Sequence, residues 1–569
     1  MIAFIIPIIA VILAFFLKSA TGPYWQFPDP CYGYLSSSLS LLKGFSPTFN
    51  YQPGTTIQIL GSVVMFLLNI GHSTAQTVRQ VLLAPDFYLN AINLTMIVFA
   101  FITSLILGQY VYRQTGDKLA TLLSQLPILS VLSLRSYSFY NFILPVIANV
   151  SPEPLMISVT CLFNLYFLKL YFRKEHHEEI HIAIILGFIC GFGIATRLTF
   201  GVFLLIPLII CRGWLKFLFL SITILSCLLW TLPIIHSYAW IWNWIVSLAT
   251  HQGGYGSGDK GFTNTSLYMD NWINISCVCS SLISFSIGAL LISLVSIIKN
   301  PKSRETFFVW ITAFNILLQL ALIAKHFDDH YLVASLMLLG PLYVLIYVNV
   351  KDKNLIFKTI VLLGIIIFIG QSLRHAWEYN LQLSEHTKET VSFNNLLHTK
   401  YPGSAFVGVY PMPMSTPEAA FFWGNDRDIR QADELSNLYP NYLAYFSNNT
   451  RDYAPYLSGI YSIKQQVWAD DLLASGTPVI FVAPKNYNFS QVTPYTTITI
   501  EEGKYASAYL LAKSTEKEAN TLFEDSMKLY GMKDYQQAFI FALKSRELHY
   551  QPEGRVMVLI SIIYNRIKH

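Results

Sequence analysis

A chain of 569 residues that is 53% hydrophobic and only 12% charged falls far short of the roughly 25% charge of an average soluble domain. It cannot cover itself with polar surface, which excludes an ordinary water-soluble globule. The net charge of +5 comes from basic residues that fall mostly between apolar runs; they read as topology signals, and no nucleic-acid partner is expected.

The first 17 residues, MIAFIIPIIAVILAFFL, lack a basic start and a small-residue cleavage site, so they are read as a retained first helix, not a signal peptide. Further apolar runs follow near 91–112, 119–134, 154–172, 182–197, 200–211, 215–233, 276–298, 305–324, 331–350 and 356–373. Together they give about 11 transmembrane helices. The short run at 200–211 reads as a partial span or as part of a broken helix with its predecessor.

With a cytoplasmic N-terminus, every basic cluster falls on one side: Arg113 and Lys118; Lys169, Arg173 and Lys174; Arg212 and Lys216; Lys299, Lys302 and Arg304; Lys351, Lys353 and Lys358. The same count places the apolar run Thr56 to Ile70, and the stretch Ile234 to Ala249 with Trp240, Trp242 and Trp244, at the interface. The opposite face then receives the loops 18–90, 135–153, 250–274 and 325–330, together with the C-terminal region.

These loops contain the polar motifs. FPDPCYGYL, residues 27–35, sets Asp29 between two prolines, which reads either as a carboxylate fixed at the membrane surface or as an Asp in a turn. YQPGTTIQILG, residues 51–61, is a turn containing Gln52 and Gly54 that runs into a helix capped by Thr55 or Thr56. Glu153 in SPEPL and Arg197 in GIATRLTFG stand where apolar runs begin or break; charge at membrane depth seeks a partner or a polar cavity, whereas at headgroup level it needs neither. The glycine-rich THQGGYGSGDKGF, residues 250–262, holds Tyr255 and Lys260 and reads equally as a ligand-binding loop or a connector; it is not a P-loop. KHFDDHYL, residues 325–332, gathers Lys325, His326, Asp328, Asp329, His330 and Tyr331. Asp328 and Asp329 with the histidines are competent metal ligands at a spacing that matches no metal motif, so a divalent metal and a helix-capping cluster are both open.

The seven cysteines suggest neither a disulfide framework nor a zinc site: Cys161, Cys190, Cys211 and Cys227 lie in apolar runs. After Arg374 the composition becomes mixed. A helix near 376–400, strands at 405–410 and 478–483, and helical segments at 431–438 and 464–475 describe a small α/β domain. The last 50 or so residues show helical periodicity. Tyr535 and Ala538, with small Ser526 and Ser545 and a late Pro552, have the spacing of a tetratricopeptide-like pair that packs on its own domain or docks a protein partner.

An acidic residue soon after the first helix, a proline-containing turn before an interfacial helix, about 11 spans and an extracytoplasmic C-terminal region together resemble the GT-C glycosyltransferases. The likeness is to the protein mannosyltransferase and aminoarabinose transferase-like branch, and it covers residues 1–373. Two positions depart from that pattern. Asp29 is followed by Pro30 and Cys31 where a carboxylate pair is common, and Gln52 stands where His often precedes the proline.

The resemblance implies a polytopic α-helical domain over residues 1–373; the reading of the residues that follow adds an extracytoplasmic α/β domain over 374–513 and a tetratricopeptide-like helical tail over 514–569. It implies transfer of a sugar from a polyprenyl-phosphate carrier to a lipid, glycan or protein acceptor outside a bacterial inner membrane. Asp29 would be the base, and Gln52, Tyr255, Lys260, Lys325, His326, His330, Tyr331 and Arg374 would contact substrate. The competing readings are a transporter or flippase of lipid-linked glycans and a non-catalytic envelope scaffold. Transport would favour internal repeats and charges in the middle of several helices, whereas here the charges cluster at helix ends.

Overall fold

The computed structural model describes residues 1–50, 52–132, 134–138, 142–173, 178–253, 256–300, 303–350, 354–410, 416–440, 442–446, 459–462, 466–467, 469–474, 476–485, 487, 495–513, 516–547, 559–560, 563 and 566–567. Lys174, Lys302, Lys351, Lys353, Tyr255 and Pro552 lie outside them. The chain divides into two compact units, residues 1–24 with 29–384, and residues 25–28 with 385–569.

In the first unit the helices are α1 (Ile5–Thr21), α2 (Cys31–Leu42), α3 (Thr55–Leu68), α4 (Thr74–Leu83), α5 (Pro85–Thr115), α6 (Lys118–Gln125) and α7 (Pro127–Leu132). A hairpin of β1 (Arg135–Ser138) and β2 (Phe142–Pro145) precedes α8 (Pro152–Phe172), α9 (Glu178–Thr196), α10 (Leu205–Ile210), α11 (Leu215–Thr231) and α12 (Tyr238–Thr250). Then come α13 (Thr265–Lys299), α14 (Arg304–Ile323), α15 (Val333–Met337), α16 (Leu339–Asn349) and α17 (Leu355–Lys400). Among the described residues nine helices are long and apolar enough to cross a bilayer, so the protein is an integral membrane protein.

The shorter apolar helices are Thr55–Leu68, Lys118–Leu132 and Leu198–Ile210. The second of these is interrupted between α6 and α7, where Pro127 cannot continue the hydrogen-bond ladder. The run at 200–211 is a broken element, a 3-10 turn Leu198–Leu204 followed by α10. The aromatic stretch after α11 forms α12. A 3-10 turn, Leu232–Ser237, carries α11 into α12 with a kink at Ile234.

Close helix packing follows from small residues. Gly187 and Gly191, a G-x-x-x-G on α9, face α11 so closely that a Cβ at 191 would lie 2.4 Å from the Thr223 carbonyl oxygen and 2.6 Å from the Cys227 nitrogen. Ser226 Oγ donates to the Phe188 carbonyl at 2.8 Å across this seam. Polar side chains tie other elements: Asn93 of α5 donates to the carbonyls of Ile147 and Asn149 at 2.9 and 3.0 Å, and Asn164 of α8 donates to that of Met337 at 2.8 Å.

The second unit begins within the last part of α17. It holds β3 (Ala405–Tyr410), α18 (Pro417–Arg427), α19 (Ala432–Leu438), β4 (Leu443–Phe446), β5 (Gly459–Ser462), β6 (Gln466–Val467), α20 (Ala469–Ala474), β7 (Val479–Pro484), β8 (Tyr495–Glu502) and β9 (Ala506–Lys513). The sheet order is β6-β5-β4-β3-β7-β9-β8, with β3 parallel to both β4 and β7 and the other pairs antiparallel. Val407, Val409, Val479 and Phe481 pack on one face, while Phe406, Ile480 and Val482 pack on the other. Burial on both faces is why these strands read as unbroken apolar runs. The segment 464–475, expected as helix, contains strand β6 before the short α20, because Gln466 and Val467 complete the sheet edge beside β5.

After the sheet comes a helical hairpin, α21 (Glu516–Gly531) and α22 (Tyr535–Glu547). Ser526 Oγ donates to the Ala538 carbonyl at 2.6 Å, and Ala538 and Ala542 pack with Leu559 and Ile563 from the helical residues that follow.

Replacing Gly191 by Val should force α9 from α11 and cost about 1–3 kcal/mol. Gly288→Ala, inside α13 at a position where a Cβ meets nothing within 4 Å, should cost no stability and gain up to about 1 kcal/mol. Thermal unfolding of both variants in the same detergent checks the contrast.

Candidate functional site

The turn before α3 positions the first group. Gln52 and Gly54 both have left-handed backbone, with φ of 70° and 68°. At Gly54 the space is closed as well, since a Cβ would lie 2.6 Å from the Tyr34 hydroxyl. The next two residues hold the start of α3 against the end of α9: Thr55 Oγ1 reaches the Ala195 carbonyl at 3.5 Å and Thr56 Oγ1 donates to Thr196 Oγ1 at 2.9 Å.

Arg197 follows Thr196 directly, in extended conformation as α9 ends. It is 4% exposed, as is Glu153 in the first turn of α8, and the two form an ion pair. The Arg197 guanidinium carbon lies 4.5 Å from the centre of the Tyr331 ring. Its Nε is buried with no hydrogen-bond partner among the described residues. Gln52 Nε2 approaches the Tyr331 hydroxyl at 3.5 Å.

The segment between α14 and α15 completes the cluster. His330 Nδ1 is 2.8 Å from Asp328 Oδ1, and its Nε2 is 4.0 Å from Glu153 Oε1. Asp329 beside it is 1% exposed. One loop thus supplies a histidine to Glu153 and an aromatic face to Arg197.

Asp29 is exposed at the entrance to α2. Tyr34, one turn into that helix, registers the charges on both sides: burial pushes its phenol well above the ordinary value, the Arg197 charge opposes this, and the Asp29 charge adds to it. The phenol therefore stays neutral and retains its proton as a donor. A solvent-facing carboxylate and a buried cation act on the same side chain.

Other expected site residues lie apart from this cluster. Lys325 Nζ donates to the carbonyls of Leu248 and Ala249 at 2.5 and 3.0 Å, capping α12, and lies 4.8 Å from the Phe262 ring centre. Helix-end carbonyls carry partial negative charge, which accounts for a lysine there. Lys260 is exposed and pairs through its backbone with His251. Arg374 is exposed and bonds Glu378 one turn along α17 at 2.8 Å. Tyr255 lies outside the described residues. Among those described, no three His, Cys, Asp or Glu side chains converge to hold a metal ion.

Sequence reasoning singled out Glu153 and Arg197 only as costly charges, without pairing them. Tyr34 carried no signal, because a tyrosine in an aromatic loop is unexceptional until its neighbours are known.

No family model matches the chain, and no curated protein matches it in sequence. Solved structures that are similar in chain trace include two of one protein. ArnT from Cupriavidus metallidurans bound to undecaprenyl phosphate is 10% identical with a TM-score of 0.48, over 89% of this chain and 97% of that one. The same protein in the apo state is 11% identical with a TM-score of 0.44, over 84% and 93%.

Glu153→Gln would leave Arg197 buried without its counter-charge and should cost about 3–5 kcal/mol of stability. Adding Arg197→Met should restore a large part of the loss, which a double-mutant cycle of unfolding free energies in nanodiscs measures.

His326 gives a pH dependence. Burial, then the charge of Lys325, lowers its pKa from the ordinary 6.5, against a raising hydrogen bond to the Leu248 backbone. A base with a depressed folded-state pKa contributes stability that is fully present above its unfolded value and is lost as pH falls below it. Stability should therefore decline below about pH 6.5, and His326→Gln should flatten that slope in unfolding measured from pH 7.5 downward.

Proposed function

We propose that this protein is a GT-C-type glycosyltransferase that moves a sugar from a polyprenyl-phosphate carrier to a lipid, glycan or protein acceptor. The proposed setting is the extracytoplasmic face of a bacterial inner membrane, with the N-terminus in the cytoplasm. The observation that carries the reading is buried Arg197, paired with Glu153, set against the Tyr331 ring and with its Nε unengaged by the described residues. Tyr34, which feels both its charge and that of exposed Asp29, supports it.

In this reading Asp29 takes the proton of the acceptor hydroxyl as that oxygen attacks the anomeric carbon, because a neutral hydroxyl is a poor nucleophile. The bond from the anomeric carbon to the phosphate oxygen breaks with its electron pair, and the carrier leaves as polyprenyl phosphate. Arg197 stabilises that growing negative charge. Glu153 and Tyr331 hold the guanidinium in place, and its Nε supplies a donor not engaged by the described residues. Gln52 and His330 contact the same assembly and are assigned to substrate positioning. Lys325, with two backbone carbonyls already bound, supports the site by fixing the end of α12.

The test is transfer of labelled sugar from a panel of polyprenyl-phosphate donors by protein reconstituted in nanodiscs. Asp29→Asn should lower turnover about 10²–10⁴-fold while the donor remains bound in native mass spectrometry. A wild-type protein that neither transfers from nor retains any donor in the panel would overturn the assignment.

A further inference from the structure

Far from Arg197 the bundle holds a second built feature that the proposed transfer does not use. Asn93, near the start of α5, bonds the segment that leads to Glu153. Arg113 lies twenty residues further along the same helix, about 30 Å away at the other face of the bilayer.

There the end of α5, the start of α6 and the first turn of the chain border a half-open cavity of about 440 Å³, with Arg113 and Lys118 exposed at its rim. Gln109, Tyr112, Arg113 and Lys118 line one side, with Ile2 and Ile5 on the other. One lining residue, Ala3, is tied from behind by Gln125, whose buried amide donates to the carbonyls of Ala3 and Ser104, both at 2.9 Å. Gly108 makes room for that amide, since a Cβ would lie 2.2 Å from Gln125 Nε2.

The two cations are not consumed locally. Asp117, the nearest carboxylate in sequence, accepts from the backbone of Leu119 at 2.8 Å and Ala120 at 3.3 Å, and from the Tyr347 hydroxyl at 2.9 Å. Among the described residues neither Arg113 nor Lys118 forms an ion pair. Below the cavity α1 presents an exposed apolar row, Ile5, Ile8, Ile12 and Phe15.

We propose that this cavity binds one anionic phospholipid, its phosphodiester between Arg113 and Lys118 and its acyl chains along the outward row of α1. A guanidinium forms paired hydrogen bonds to phosphate oxygens and a lysine adds a point charge. Basic recesses between membrane helices at the headgroup level fit anionic headgroups for this reason. A zwitterionic lipid presents the same phosphate together with a cationic ammonium that Arg113 and Lys118 repel. The site concerns the opposite face of the bilayer and stands independently of the proposed transfer reaction.

The experiment is native mass spectrometry of the full chain, delipidated in detergent and then incubated with equal amounts of phosphatidylglycerol and phosphatidylcholine. The wild type should retain one phosphatidylglycerol in preference, by about fivefold for each basic contact. Arg113→Gln with Lys118→Gln should bring retention to parity. Gly108→Ala keeps both charges but displaces the Gln125 amide, and in monodisperse protein it should also lower the preference. Equal retention of both lipids by the wild type, or a preference that survives loss of both charges, overturns the proposal. So does a charge-dependent preference that Gly108→Ala leaves intact, since that describes attraction to surface charge and not a pocket. Should Gly108→Ala be misfolded, Ile2→Trp, which fills the cavity from its own lining and keeps both charges, takes its place with the same two outcomes.

Discussion

The ion pair between Arg197 and Glu153 is the constraint on which the polar end of the membrane unit depends. A buried guanidinium is tolerable only when its counter-charge is held close and its plane is covered. Glu153 supplies the charge from the first turn of α8 and Tyr331 covers the plane. Three segments distant in sequence are thereby fixed around one side chain, and none of them can move without exposing or unpairing a charge. The Coulomb attraction of such a pair is offset largely by desolvation, so what it adds is specificity of arrangement more than net stability.

The remaining parts of the assembly are brought to that pair by backbone ends. Thr55 and Thr56 join the start of α3 to the end of α9, which places the left-handed turn at Gln52 beside the residue that follows Thr196. Asn93 holds the loop before α8, and Lys325 holds the end of α12. Thr55, Asn93 and Lys325 thereby satisfy helix-end or loop carbonyls that would otherwise face apolar surroundings. The lipid-facing seams use a different device, close approach at Gly187 and Gly191, because lipid tails provide no hydrophobic drive to bring helices together. A rigid apolar bundle thus ends in a polar cluster.

Several features were legible in the chain because they depend on local composition. Apolar runs marked the membrane helices, the brevity of 200–211 signalled a broken element, and the runs at 405–410 and 478–483 marked central strands. Asp29 and Gln52 stood out through their prolines. KHFDDHYL was recognisable as a polar knot, yet its division of labour was not: Lys325 and His326 serve the end of α12, while His330 and Tyr331 reach Glu153 and Arg197. Adjacent residues on a loop point in different directions, and sequence order alone does not say which neighbour each will meet.

Sequence by itself determined that this chain enters a bilayer, roughly where it crosses, and that polar chemistry gathers at helix ends, because the cost of burying charge and unpaired backbone in hydrocarbon acts residue by residue. Only the tertiary structure decided that Glu153 and Arg197, 44 residues apart in the chain, are partners, that Tyr34 lies in reach of both Asp29 and Arg197, and that Gly108 clears space for Gln125. Those relations depend on distances between segments that no local pattern encodes. They arise when helices pack closely enough for each buried polar group to find the one partner that satisfies it.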